Sequence, residues 1–128
     1  VRDAGMVNRV VVGSFHEEAV LIFRRLCPEV VTCGGFTEVT AYSILHLLRL
    51  GNLYHSSFGL FSVPEQFGRL TIVDQRFVDE AHKRSLPVQV WTVNDEESMH
   101  RLINLGVDGI ITDRPDLLLQ VLRRRGMR

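Results

Sequence analysis

The sequence predicts an α/β fold in which parallel strands alternate with helices. Short β-branched runs recur along the 128-residue chain at 9–15 (RVVVGSF), 30–34 (VVTCG), 59–63, 87–93 (PVQVWTV) and 107–112 (VDGIIT). Each is followed by apolar residues at helical spacing, and capping or turn residues separate the two. Strand–helix units of roughly 20–30 residues that repeat in this way build a parallel sheet, because a parallel strand must be reached by a crossover.

The elements follow in order. The run 9–15 is apolar enough for a strand buried on both faces. The helix after it, 16–26, presents Val20, Phe23 and Leu26 on one face. Glu17 and Glu18 in its first turn and Arg24 and Arg25 in its last complement the helix dipole. Ser14, three residues before Glu17, has the spacing of a capping box. After the strand at 30–34, Thr37 is placed as an N-cap for a helix at 39–50, and Gly51 as its C′ glycine. The weaker strand at 59–63 ends at Pro64, and a loop through Gly68 leads to an apolar run at 70–73. Asp74 is placed as the cap of a helix at 75–84, with Phe77, Val78 and Ala81 facing inward. Pro87 opens the next strand, where a missing N–H is tolerated. Asn94 with Glu97 reads as a capping box, Met99, Leu102, Ile103 and Leu105 form the apolar face, and Gly106 stops the helix. Asp113 with Pro115 marks the start of the last helix, anchored by Leu117, Leu118, Val121 and Leu122.

Five strands in 128 residues leave two solutions. One is an open doubly wound sheet. The other is part of a closed barrel, which needs eight strands and about 250 residues. Five strands alone would have bare edges, with edge-to-edge self-association as the expected consequence. No linker or low-complexity stretch divides the chain, which is read as a single unit spanning 1–128.

Composition narrows the function classes. The formal net charge is zero, so no global basic field calls for a nucleic-acid partner. The basic cluster Arg123, Arg124, Arg125 and Arg128 sits where cations complement a helix C-terminus. No stretch is long and apolar enough for a transmembrane helix. Cys27 and Cys33 match no zinc or redox spacing, and read as packed thiols in a cytoplasmic protein. The first residue is Val, so an N-terminal portion, with any targeting signal, is expected to be missing.

In parallel α/β proteins chemistry collects at the C-terminal ends of the strands. There the chain offers Ser14, Phe15 and His16, then Gly34 and Gly35, then Val63 and Pro64. The later strands add Trp91, Thr92, Val93 and Asn94, then Thr112, Asp113 and Arg114. Trp91, the sole tryptophan, is a flat ring suited to stacking on a ligand's carbon skeleton, or to filling the top of the sheet. Asp113 is the one acid at a strand end, and is read first as a helix cap, since capping needs only its local geometry. The other acids, among them Glu17, Glu18, Glu38, Asp95, Glu96 and Glu97, belong to helix starts. His46, His55, His82 and His100 lie on helices or loops and are read as surface or rim residues.

The run VWTVN at 90–94, a helix of about a dozen residues, and GVDGIITDRPD at 106–116 together carry a resemblance. They are similar to the C-terminal signature of the glycerophosphodiester phosphodiesterase family. VVVGSF at 10–15 resembles its strand ending in Ser-Phe, and FVDEAH at 77–82 its helix before the Trp strand. The resemblance spans nearly the whole chain and implies a partial (β/α)8 TIM-type barrel, about its last five βα units. It implies a phosphoric diester hydrolase of lipid and glycerol metabolism that converts a glycerophosphodiester and water to an alcohol and glycerol 3-phosphate. It also implies a divalent metal, calcium or magnesium, in the intact enzyme.

The family's His-Arg-Gly, Glu-x-Asp and His-Asp motifs do not occur here. The expectation is therefore that this chain holds no catalytic or metal-binding residue, binds no metal and is inactive alone. It would contribute a substrate pocket wall of Trp91, Ser14, Phe15, Asn94 and Asp113. The competing class is a non-catalytic α/β binding module or degenerate barrel.

Overall fold

A computed structural model describes residues 1–68 and 70–127, the side chain of Asn52 excepted. Arg128 of the basic cluster lies outside the described residues. The chain forms two compact units, Val1–Ser62 and Val63–Arg128.

In the first unit a 3-10 turn at Val7–Arg9 precedes helices α1 (Glu17–Leu26) and α2 (Phe36–Leu47), and a second 3-10 turn covers Gly51–Leu53. The strands expected at 9–15 and 30–34 are reduced to isolated parallel bridges, Val12 with Thr32 and Cys33 with Leu60. The backbones come close where side chains are absent. A Cβ on Gly59 would lie 2.8 Å from Val31 Cγ1, so a larger residue there would have to displace that side chain. Val20, Val30, Tyr42, Phe58 and Phe61 are buried. Tyr42 and Phe61 meet at 4.6 Å between ring centroids, and Phe58 stands edge-on to Phe61 at 4.9 Å. Such pairs add about 0.5–1.5 kcal/mol each beyond area burial. His46 is buried and stacked on Tyr42 rather than at the rim. Its place in the apolar stripe of α2 carries it inside.

The capping differs from expectation at three places. Ser14 Oγ accepts from His16 N at 3.0 Å, a local two-residue turn, and α1 carries no side-chain cap. Helix α2 begins at Phe36, so Thr37 lies inside it. Its start is satisfied by Glu38, whose Oε2 accepts from Gly35 N at 2.7 Å. Thr37 Oγ1 instead donates to Glu17 at 2.5 Å. At the other end Arg49, not Gly51, takes the left-handed conformation, with φ 60°. Arg49 N bonds His46 O at 3.0 Å and Leu50 N bonds Leu45 O at 2.7 Å, the two bonds of a Schellman motif.

In the second unit Val63 and Pro64 end strand β1 (Phe61–Pro64), and β2 (Gln66–Phe67) pairs antiparallel with β3 (Leu70–Thr71). This hairpin, turned through Gly68 at φ 62°, replaces the expected loop. Then follow α3 (Gln75–His82), β4 (Val88–Trp91), α4 (Glu96–Leu105), β5 (Gly109–Ile110) and α5 (Pro115–Arg124). β4 and β5 are parallel, with Gln89 opposite Gly109 and Val90 opposite Ile110, in the order β1-β4-β5. Val88 and Val90 point into a core of Val63, Val73, Phe77, Val78, Ala81, Met99, Leu102 and Val121, all buried. Asp74 caps α3 as expected, accepting from Phe77 N at 2.7 Å. Gly106 ends α4 in the left-handed region at φ 81°. Ser85 ends the α3 turn the same way at φ 57°, without being glycine.

Candidate functional site

Strand β4 ends in Trp91, and the Trp91–Thr92 peptide is cis. An open concavity of about 330 Å3 lies beside it, lined by Pro64, Glu65, Gln66, Trp91, Thr92 and Ser98. Each wall has a cause in the chain. Val88 and Val90 are buried, so alternation leaves Gln89 and Trp91 half-buried on the other side of the strand. Asp95, the N-cap of α4, accepts from Ser98 N at 2.8 Å and thereby holds Ser98 in the first turn. That backbone hydrogen bond keeps the Asp95 carboxyl below its ordinary range. Arg101, one turn further along α4, forms an ion pair with Glu65. Ser98 and Arg101 are three residues apart and share a helix face. The Glu65 carbonyl also accepts from Ile72 N and Val73 N, at 3.0 and 3.2 Å.

Beyond Trp91 the loops after β4 and β5 are tied together. Asn94 Nδ2 donates to Asp113 Oδ2 at 2.9 Å, and Asn94 Oδ1 accepts from Asp113 N at 2.9 Å. Thr112 Oγ1 donates to Asn94 Oδ1 at 3.1 Å and accepts from Arg114 N at 2.9 Å. Neither Asn94 nor Asp113 is a helix cap, contrary to the sequence reading. Asp95 takes the cap of α4, and α5 starts at Pro115 with no side-chain cap. Two well-formed bonds between the loops hold Asn94 and Asp113 in place of the local capping bonds.

Trp91, Asn94 and Asp113 thus gather at one end of β4 and β5. Ser14 and Phe15 belong to the first unit, where Phe15 is 82% exposed. The Ser14 hydroxyl meets the backbone of His16, so its observed bond is structural. Glu65, Gln66, Ser98 and Arg101 were not read from the sequence. A Glu-Gln pair directly after a strand-ending proline was the signal for the first two. Ser98 and Arg101 look like ordinary surface positions of an amphipathic helix.

Electrostatics elsewhere are structural. Arg24 donates to both carboxylate oxygens of Glu38 at 2.9 Å, to Thr32 Oγ1 at 2.7 Å and to Cys33 O at 3.0 Å. Burial pushes the Glu38 carboxyl up, but hydrogen bonds from Arg24, Ser57 and the Gly35 amide outweigh it and hold it at about 2. At the N-terminal edge of β4 and β5, Asp108 Oδ2 meets His82 Nε2 and accepts from Val88 N, both at 2.8 Å. Among the described residues, no three His, Cys, Asp or Glu side chains gather closely enough to hold a metal ion. Of the acids at the strand ends, Asp113 is engaged by Asn94 and Glu65 by Arg101. The donor set of the described residues therefore does not by itself fit a hard divalent cation, which needs several converging oxygens. No described helix is long and apolar enough to cross a membrane.

Comparison with known proteins places this geometry. The model of the glycerophosphoryl diester phosphodiesterase family matches residues 4–117. A Mycobacterium tuberculosis protein named "Probable glycerophosphodiester phosphodiesterase 2" is 33% identical over 125 residues, covering 93% of this chain and 47% of that protein. A glycerophosphodiester phosphodiesterase of Caldanaerobacter subterraneus subsp. tengcongensis is 26% identical, covering 98% of this chain and 47% of that protein. The crystal structure of a glycerophosphodiester phosphodiesterase from Parabacteroides distasonis superposes with a TM-score of 0.70 at 25% identity, covering 99% of this chain and 48% of that one. The chain spans about half the length of the curated relatives it matches, and its α/β fold with parallel pairing is that of part of a (β/α)8 barrel. The chain belongs to the glycerophosphoryl diester phosphodiesterase family.

Proposed function

We propose that this chain is the C-terminal part of a metal-dependent phosphoric diester hydrolase that cleaves a glycerophosphodiester with water to an alcohol and glycerol 3-phosphate. The family match over residues 4–117 carries the reading. In it the chain supplies a pocket wall. Trp91 offers a flat apolar face to the carbon skeleton of the substrate. Asn94 and Asp113, locked together, hold the loops beside it. The divalent cation, calcium or magnesium, and the proton-transfer groups are assigned to sequence outside this chain, because the family's His-Arg-Gly, Glu-x-Asp and His-Asp motifs do not occur in it. The protein acts in the cytoplasm on a small-molecule diester, without nucleic acid.

Two measurements test this. The purified chain, given glycerophosphocholine with calcium or magnesium, is expected to release no glycerol 3-phosphate. Metal-dependent turnover by the chain alone would refute the division of labour. The coding sequence upstream of Val1 is expected to continue in frame into His-Arg-Gly and Glu-x-Asp motifs. A start codon directly before Val1 would favour a non-catalytic binding module instead.

A further inference from the structure

We propose that the concavity beside Trp91 receives an uncharged, polyhydroxylated alcohol, with Glu65 and Ser98 setting that preference. The proposal rests on the phosphodiesterase reading and names the alcohol the enzyme would release. Three observations carry it. First, the walls combine flat apolar surfaces, the Trp91 ring and Pro64, with hydroxyls of Thr92 and Ser98 and the amide of Gln66. An aromatic face covers C–H groups while the polar atoms around it meet hydroxyls. Second, none of the described lining residues is Lys, Arg or His. Third, Glu65, the one charged residue among the described lining residues, is already paired with Arg101. The pair is itself neutral, so a quaternary ammonium gains no net attraction from it. A carboxylate oriented by a guanidinium retains lone pairs to accept from a hydroxyl.

Trp91 is the only tryptophan, so its fluorescence reports this site directly. The 128-residue chain is titrated with myo-inositol, choline, glycerophosphoinositol and glycerophosphocholine. The polyol members are expected to give a saturable change in emission and to bind roughly two- to tenfold tighter than their choline counterparts, the factor one ordinary hydrogen bond supplies. Ser98→Ala and Glu65→Gln each weaken polyol binding by a similar factor and leave choline unchanged. Arg101→Ala uncovers the Glu65 charge and shifts preference towards choline, a change that loss of packing alone would not produce. Thermal melting confirms that each variant is folded.

Choline binding as tightly as inositol, or no saturable response to either, overturns the proposal. So does an unchanged preference in both Ser98→Ala and Glu65→Gln. The free alcohols carry no phosphate, so their failure would reject the pocket assignment and leave the hydrolase reading intact. Failure of hydrolysis by a longer enzyme would do the reverse.

Discussion

Asn94 holds Asp113 through both halves of its side-chain amide, one bond to the carboxylate and one from the backbone N–H, each at 2.9 Å. Asn94→Ala is expected to cost about 1 kcal/mol in urea or thermal unfolding, since the exposed groups released can bond water. Its sharper signature is local: the Asp113 amide should exchange faster with deuterium while the amides of β4 keep their protection. Unchanged Asp113 exchange would mean that the loops are held by other contacts.

Ser85 occupies the left-handed position after α3, with Ser85 N bonded to His82 O at 2.8 Å and Leu86 N to Ala81 O at 3.1 Å. This is the same pair of bonds that Gly106 completes at the end of α4. An L side chain pays roughly 1–2 kcal/mol to sit there, partly offset by the greater freedom glycine has when unfolded. Ser85→Gly is therefore expected to stabilise the chain by about 0.5–1 kcal/mol, and Ser85→Val to destabilise it. Arg49→Gly should behave likewise after α2. Denaturant midpoints decide both.

The Arg24–Glu38 pair, each side chain only 17% exposed, makes stability depend on acid. The Glu38 carboxyl is held at about 2, against an ordinary value of 4.5. A depressed folded-state value favours the native state above the unfolded value and loses that benefit as pH falls through the folded one. Stability from this group is thus complete above about pH 4.5 and gone near pH 2, with an upper limit of about 3 kcal/mol. Glu38→Gln should flatten stability across that window, and Arg24→Ala should cost about 2–4 kcal/mol at neutral pH by leaving a half-buried carboxylate unpaired. An identical acid profile in Glu38→Gln would assign the pH dependence elsewhere.

Asp108 ties His82 to the start of β4 by serving two donors at once, the ring and the Val88 amide. Asp108→Ala should destabilise by about 1–2 kcal/mol and His82→Ala by less, because only the first strands a backbone N–H. Equal losses would show that the Val88 bond contributes nothing.

Much of the architecture was legible in local pattern. The five α-helices, the cap at Asp74, the glycine stop at Gly106 and the strand ending in Trp91 all follow from signals within one or two turns of chain. The caps read at Ser14, Thr37, Asn94 and Asp113 failed for one reason: each residue type has more than one good partner. A competing partner in the next turn or on a distant loop satisfied it, or satisfied the helix, instead. The hairpin of β2 and β3 escaped because two-residue strands carry no periodicity.

What the sequence by itself determined is the alternation of strands and helices and, through WTVN and GVDGIITD, the family. Apolar spacing and short motifs are properties of neighbouring residues and survive without knowledge of the chain's path. Only the tertiary structure decided that Glu65 would meet Arg101 and stand with Ser98 beside Trp91. It alone decided that Asn94 would close on Asp113, and Arg24 on Glu38. Those pairings span 14 to 36 residues, and polar side chains so far apart meet only where buried valines and aromatic rings have set the course of the backbone.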